Sequence, residues 1–515
     1  MAGNDHWTLH LEDLGMQGAG EELARLILTC QPPYAICVQG KWGSGKTSLM
    51  RYAMARLGGE PLGTTLKTSS KTIRELPGWL EGRWLVLSAK ADSFNQQTLA
   101  GQCLNADDLG TMPDPRIVPI WFNPWQHKET DMPLVALLQE LRTQFSYLEQ
   151  FGRFAGKLVR TGVHAGLSIL GDLVDTFSLL QGLGTSVGQI PNRLLNAVEG
   201  QRRRDFDEVH DAQRLNLMFE LAVKSLLAPS VEEEEQAPFS KDNVTQVALR
   251  RLVIFIDDLD RCSEQQTVKL LEAIKLYLQT RYCVFVVGMD GAAARRAVAN
   301  VLSHKGEEAH EYLEKLFQAT LHVPVPRNHS AFVTTLLEHA GFHSKEIDIP
   351  ATAETIGRLI EPNPRKLKNF VSTLAVNWNV ARGTTEDFVL FLLITYLQTN
   401  HPAAFRLLSY DPENIDLLNK ALNEDRPLPP DASPVLLFFR QTFRHAFEFA
   451  FLPGEEPSRE GGDTIVSELI QRLDRHKGDR AFLELWATYR NMPGAELVQR
   501  ITQIVQRACS EAPGS

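Results

Sequence analysis

Tyr34-Ala35-Ile36-Cys37-Val38-Gln39-Gly40-Lys41-Trp42-Gly43-Ser44-Gly45-Lys46-Thr47-Ser48-Leu49-Met50 is the stretch on which the fold turns. Behind Pro32-Pro33, the apolar run Tyr34 to Val38 reads as a strand, and Thr47 to Leu57 reads as a helix. Between them Gly40 to Thr47 meets G-x-x-x-x-G-K-[ST] at every position, in the strand-to-helix setting that the pattern requires. Glycine enters backbone conformations closed to other residues, so such a loop wraps tightly and aims successive N–H groups at one anion. The helix behind it adds the positive end of its dipole. Gly40, Trp42, Gly43, Ser44, Gly45, Lys46, Thr47 and Ser48 are therefore the candidate phosphate-binding residues. Lys46 would reach the β and γ phosphates, and the Thr47 hydroxyl would bind Mg²⁺. Trp42 would pack over a nucleotide or against a lid.

A phosphate site of this kind needs an acid to hold its metal at the end of a neighbouring strand. Leu252-Val253-Ile254-Phe255-Ile256-Asp257-Asp258 supplies it: five apolar residues, then two carboxylates at the C-terminal end, where ligands sit in open α/β sheets. Asp257 is the candidate Mg²⁺ ligand, directly or through water. Asp258 is the candidate for orienting or deprotonating an attacking water. Asp260 and Arg261 follow at once, either as a structural ion pair or with Arg261 as a charge sensor. Cys283 to Val287 is the next strand, and Asp290 beyond it either faces the γ phosphate or caps the helix Ala292 to Val301.

Further apolar runs at Trp84 to Leu87, Ile117 to Phe122 and Thr320 to Val323 alternate with helical patterns, which argues a parallel sheet buried on both faces. Past Pro326 the patterns are almost entirely helical. The expected division is a phosphate-binding α/β core over 1–326, with insertions at 59–115 and 150–247, a helical lid over 327–452 and a C-terminal helical segment over 464–515. The 59–115 insertion reads as a surface excursion carrying one strand. At 515 residues the chain exceeds one core, and its 43% hydrophobic and 23% charged residues exclude wholesale disorder. A net charge of −10 disfavours general nucleic-acid binding. Six scattered cysteines without a C-x-x-C point to reduced thiols, and the N-terminus lacks an apolar signal region, so a cytoplasmic location is expected.

Several phrases together resemble the KAP group of P-loop NTPases, in the branch with an extra acidic residue after the metal-binding Asp. They are the loop Gly40 to Ser48 with Trp42 inside it, Phe122-Asn123-Pro124-Trp125, and Ile256-Asp257-Asp258-Leu259-Asp260-Arg261-Cys262. Tyr312 to Gln318 before Pro324, and Asn363-Pro364-Arg365-Lys366-Leu367-Lys368, complete the set, which spans residues 35–370. The resemblance implies Mg²⁺-dependent ATP binding and hydrolysis on an ASCE-type parallel sheet of 51432 order. It also implies a helical lid carrying Arg365 toward the phosphates. Read by itself, Arg365 either senses the γ phosphate or pairs with Glu361 and covers a helix end. Many members of the group are prokaryotic, some are linked to phage exclusion, and many carry a transmembrane hairpin between the two nucleotide motifs.

This chain departs from the last feature. Gly162 to Leu180 holds nine Val, Leu, Ile or Phe residues, worth together about −3 to −5 kcal/mol toward insertion, against about +5 to +7 for Asp172 and Asp175. The charges win. The window is instead amphipathic, with Val163, Leu167, Leu170, Val174 and Phe177 on one stripe and His164, Ser168, Asp172 and Asp175 on the other. Packing on the chain's own core or a partner subunit, peripheral contact with the inner membrane through 157–204, and paired spanning helices built on Gly162 and Gly166 are the three readings.

Other patterns lead nowhere. Gly184-Thr185-Ser186-Val187-Gly188 matches a nucleophile elbow without the strand before it. Ser88-Ala89-Lys90 resembles a guanine-recognition phrase but precedes Asp257, so adenine is favoured. The histidines form no helical zinc pair, and Trp84, Trp121 and Trp125 read as core aromatics. Two functions compete: an ATPase whose hydrolysis switches its helical domains, in phage or plasmid defence by the family analogy, and a slow-hydrolysing ATP-gated scaffold or signalling switch. Both expect a homo-oligomer or a protein partner. A DNA-linked motor is the weakest idea, given the acidic balance.

Overall fold

A computed structural model describes residues 11, 14–57, 60–61, 65–67, 73–75, 84–85, 117–127, 133–150, 163–175, 211–227, 251–277, 280–303, 307–325, 329–343, 347–381, 388–422, 431–443, 477–489, 492 and 494–509. Two compact units emerge, one built from Met16–Pro324 with a short N-terminal piece, the other chiefly from Val325–Ser515.

The first unit is organised by five parallel strands: β1 (Tyr34–Gln39), β2 (Ile117–Phe122), β3 (Arg251–Ile256), β4 (Cys283–Met289) and β5 (Ala319–His322). Their order across the sheet is β2-β3-β4-β1-β5, which read from the β5 edge is the implied 51432. Strands β2, β3 and β4 are buried almost throughout because helices cover both faces. At the β2 edge, Gln144 takes over the pairing that a further strand would give. Its Nε2 donates to Trp121 O at 2.7 Å and its Oε1 accepts from Trp121 N at 3.4 Å. The fold class is the expected one, a P-loop α/β sheet followed by helices.

Helix α1 (Gln17–Thr29) packs on α2 (Lys46–Arg56), where Glu21 binds both Arg56 and the Tyr52 hydroxyl. Helices α3 (Pro133–Gln150), α4 (Asp211–Leu226), α5 (Glu264–Tyr277), α6 (Gly291–Leu302) and α7 (Glu307–Leu316) belong to the same unit. Cys30, Cys37 and Cys283 are buried free thiols, and burial pushes Cys37 and Cys283 up to about 12.

One expectation about the insertions changes, and one of the three readings of the second insertion is met in the described residues. The first insertion carries four short strands in antiparallel pairs, Glu60–Pro61 with Trp84–Leu85 and Thr65–Lys67 with Ile73–Glu75. The run at Trp84 thus stays out of the parallel sheet, because its partner is the chain just after α2. In the second insertion, residues 163–175 form a helix whose Val163, Leu170, Leu173 and Val174 join the sheet's own core. Its apolar stripe is spent on packing within the chain. Among the described residues no helix is long and apolar enough to cross a membrane. Phe177, Gly162, and the elbow-like and guanine-like phrases lie outside the described residues.

Gly166 is where this helix meets α4. A Cβ there would lie 2.7 Å from Leu226 Cγ and 2.9 Å from the Ala222 carbonyl oxygen, which cannot turn aside. Gly166→Val is therefore expected to destabilise the first unit by about 2 kcal/mol through overpacking. Ser168→Val on the exposed side should stay within about 0.5 kcal/mol of wild type. Urea midpoints of the two variants test the difference.

The second unit is helical: α8 (Ser330–His339), α9 (Ile349–Leu359), α10 (Pro364–Ala381), α11 (Phe388–Asn400), α12 (Pro402–Tyr410), α13 (Asn414–Ala421), α14 (Pro434–Thr442) and α15 (Gly494–Cys509), with a further helix over 477–486. Leu390 to Leu397 of α11 are buried without a break, so this helix is its central rod.

Candidate nucleotide site

The site forms where β1, β3 and β4 end together. Gly40 N donates to Met289 O at 3.2 Å, and Asp257 N donates to Phe122 O at 3.0 Å, so both candidate motifs leave the sheet at one edge. Gly43 and Gly45 adopt φ of 78° and 102°, which a side chain would strain, and Gly45 is the residue from which α2 starts. At Gly40 a Cβ would sit 2.5 Å from Ser44 Oγ and 3.1 Å from Val323. The glycine spacing is thus a steric requirement of the loop.

Two residues distant in sequence meet here. Thr47 Oγ1 donates to Asp257 Oδ2 at 2.7 Å. Burial first, and then the neighbouring Asp258 carboxylate, push Asp257 up to about 6, while the Thr47 hydroxyl and Arg51 pull the other way. A buried carboxylate and a hydroxyl side by side are a hard oxygen donor pair short of positive charge, and Mg²⁺ fits that need. Ser44 supplies the matching sign for an anion. Its Oγ is buried with no hydrogen-bond partner among the described residues, inside the loop that would cradle phosphate.

Lys46 is buried, and its Nζ donates to Gly40 O at 3.0 Å, Lys41 O at 3.3 Å and Asp260 Oδ2 at 3.1 Å. Asp258 has φ of 58°, accepts from Asn123 Nδ2 at 2.9 Å and forms an ion pair with Arg261, whose Nε lies 3.0 Å from Oδ1. Asp260 and Arg261 thus each pair elsewhere, Asp260 with Lys46 and Arg261 with Asp258, in place of the ion pair that was one of their two readings. The left-handed turn at Asp258 starts a short 3₁₀ turn, Leu259–Arg261, and breaks the strand alternation that the expectation assumed. Asp290 caps α6, its Oδ1 accepting from Ala292 N at 2.9 Å and Ala293 N at 3.4 Å, which is the second of its two readings.

The tryptophans also divide. Trp121 is a core residue stacked on Phe255 with centroids 5.9 Å apart. Trp125 is 39% exposed and is not core, because it leaves β2 on the 3₁₀ turn Pro124–His127. With Trp42, 60% exposed, it flanks the Arg261 guanidinium at 5.4 and 6.0 Å respectively. Trp84 is described only in its backbone.

Arg51 is a site residue that motif reading passed over. It sits one helical turn beyond Thr47, buried over the Trp121 ring at 4.2 Å. Burial pushes it down to about 9, opposed by Asp257 and Asp258, so it is a fixed cation beneath both carboxylates. Arg365 belongs to the second unit, in the first turn of α10, where its N–H donates to Asn363 Oδ1. The neighbouring Lys366 forms an ion pair with Glu361.

A family model described as the KAP family P-loop domain matches residues 18–380. The chain belongs to the KAP family. No curated protein matches it. Solved structures similar to this KAP chain include the Aeropyrum pernix ORC1 protein in complex with DNA, at 13% identity and a TM-score of 0.32 over 90% of this chain and 83% of that one. The Walker-type ATPase paby2304 of Pyrococcus abyssi is similar at 10% identity and a TM-score of 0.33, over 94% of this chain and 98% of that one. Membership makes this KAP chain a P-loop NTPase, a kind of protein that binds nucleotide and for which Mg²⁺ is the typical metal.

Proposed function

We propose that the protein hydrolyses ATP with Mg²⁺ and uses the cycle to switch its helical unit. The observation that carries this is the 2.7 Å contact between Thr47 and Asp257 beside a buried lysine, which gathers a hydroxyl, a carboxylate and a cation at one loop. Bound Mg²⁺ would supply charge neutralisation at the phosphates. Lys46 and the loop N–H groups would hold the phosphate oxygens, and Ser44 Oγ and Ser48 lie in the same loop and helix start. Asp258 would take the proton of the attacking water, oriented by Asn123 and Arg261. Arg365 is assigned to couple the helical unit to the nucleotide, on the strength of the family resemblance. Defence against phage or plasmids is the proposed setting on the same ground, in the cytoplasm and with a second copy or a protein partner as the responder.

One observation favours a second reading, an ATP-gated switch that hydrolyses slowly. Both oxygens of Asp258 are engaged, by Asn123 and by Arg261, so the candidate base is restrained. Asp258→Asn separates the two. Turnover is expected to fall at least 10²-fold, the usual worth of a positioned base, while MgATP affinity stays within about threefold. Steady-state phosphate release alongside calorimetric titration measures both. Biological activity lost with turnover favours the engine, and activity retained or locked on favours the switch.

A further inference from the structure

Lysine carries three N–H donors, and all three of those on Lys46 have takers within the chain. Two takers, Gly40 O and Lys41 O, are neutral carbonyls of the loop itself. The third is the Asp260 carboxylate, and the Lys46 and Asp260 side chains are only 7% and 9% exposed. A lysine so engaged accepts a phosphate oxygen only by giving a partner up. The carboxylate is the partner that phosphate resembles, in charge and in oxygen geometry, and two anions competing for one sheltered cation are poorly screened by water or salt.

We propose that Asp260 is an internal stand-in for phosphate, which neutralises Lys46 until nucleotide displaces it and thereby sets the affinity for nucleotide. The proposal rests on the nucleotide reading given above. A second contact of the same turn fits it. Leu259–Arg261 also delivers Arg261 to Asp258, so one three-residue turn neutralises both the cation meant for phosphate and the carboxylate assigned to water. Phosphate arriving at Lys46 pushes on Asp260, and the adjoining residue is the one that restrains Asp258. Asp260 is in this sense a positioning residue, acting through Lys46.

The test is a calorimetric titration of the full chain with MgATP and with AMP, which lacks the phosphates that reach Lys46. Asp260→Asn should bind MgATP at least about tenfold more tightly than wild type, a gain of about 1.4 kcal/mol, with no gain for AMP. Asp260→Glu, which keeps the charge, should show no gain. A purely structural role for Asp260 predicts loss, not gain, so misfolding cannot imitate the expected result. Wild-type binding together with unchanged or weaker MgATP binding by Asp260→Asn overturns the proposal, as does an equal gain for AMP. If Asp260→Asn and Asp260→Ser both fail to fold, the proposal is also overturned, because a contact that opens at every binding event cannot be one the fold needs. Absence of any MgATP heat from folded wild-type protein defeats the nucleotide reading itself, and is recognised by the wild type alone.

Discussion

Lys46→Ala should leave a folded chain that shows no heat with MgATP at concentrations saturating the wild type. The lysine offers charge-assisted hydrogen bonds to phosphate, each worth about 1.5–3 kcal/mol, and two of them place the loss at roughly 10³-fold in affinity. A second effect adds to the first. Without the ammonium, Asp260 remains nearly buried beside the loop as an uncompensated anion and repels the phosphates. The double variant Lys46→Ala/Asp260→Asn should accordingly recover part of the binding that the single variant loses, a non-additivity expected only of groups in contact. Hydrolysis should fall below detection in the single variant. Titration calorimetry and phosphate release read the two effects, and wild-type heat from Lys46→Ala would falsify the assignment of the loop.

The elements around that lysine were legible because each obeys a local rule. The phosphate loop is a fixed spacing of glycines with a positive-φ requirement that the structure meets at Gly43 and Gly45. Strands β2, β3 and β4 are largely apolar runs because both faces are covered, and the observed ends of all five strands lie within two residues of those read from the sequence. Strand order has no such local signature and came only with the family resemblance. The partners of Lys46 and Asp258 were not legible either. Asp257 and Asp258 read as the end of a strand, on which alternate side chains face opposite ways. One left-handed residue, Asp258, replaces that alternation by a turn that sends Asp260 to Lys46 and Arg261 to Asp258. Trp125 misled for a related reason, since its apolar ring suggests a core but its turn projects it beside a guanidinium. Arg51 could have been found, because i,i+4 spacing on α2 puts it on the face of Thr47.

The second unit held the least legible feature, and the largest stability effect is expected there. Asp479, wholly buried, accepts from the Tyr396 hydroxyl at 2.8 Å and meets His401 Nε2 at 2.6 Å through the same oxygen, Oδ1. Its Oδ2 has no partner among the described residues. No motif connects positions 396, 401 and 479. They meet because the 477–486 helix lies so close to α9 and α11 that a Cβ at Gly478 would stand 2.5 Å from Leu359 O and 2.9 Å from the Tyr396 hydroxyl. Phe482 of the same helix stacks on Tyr396 and on Phe443, each with centroids 5.3 Å apart. Asp479→Ala keeps these rings but strands a hydroxyl and an imidazole N–H in an apolar setting, and His401→Ala strands the carboxylate. Each change should cost the second unit about 3–5 kcal/mol, the usual result of removing one member of a buried pair. Asp479→Leu/His401→Leu removes both members and should lose clearly less than the two single losses added together, since no polar group from the pair is left to desolvate. Denaturant unfolding followed by tryptophan fluorescence, to which Trp486 at 5.5 Å from Phe482 contributes, measures the series. Single variants within about 1 kcal/mol of wild type, or a double variant that merely sums them, would mean that shape alone, without the polar triad, holds this helix in place.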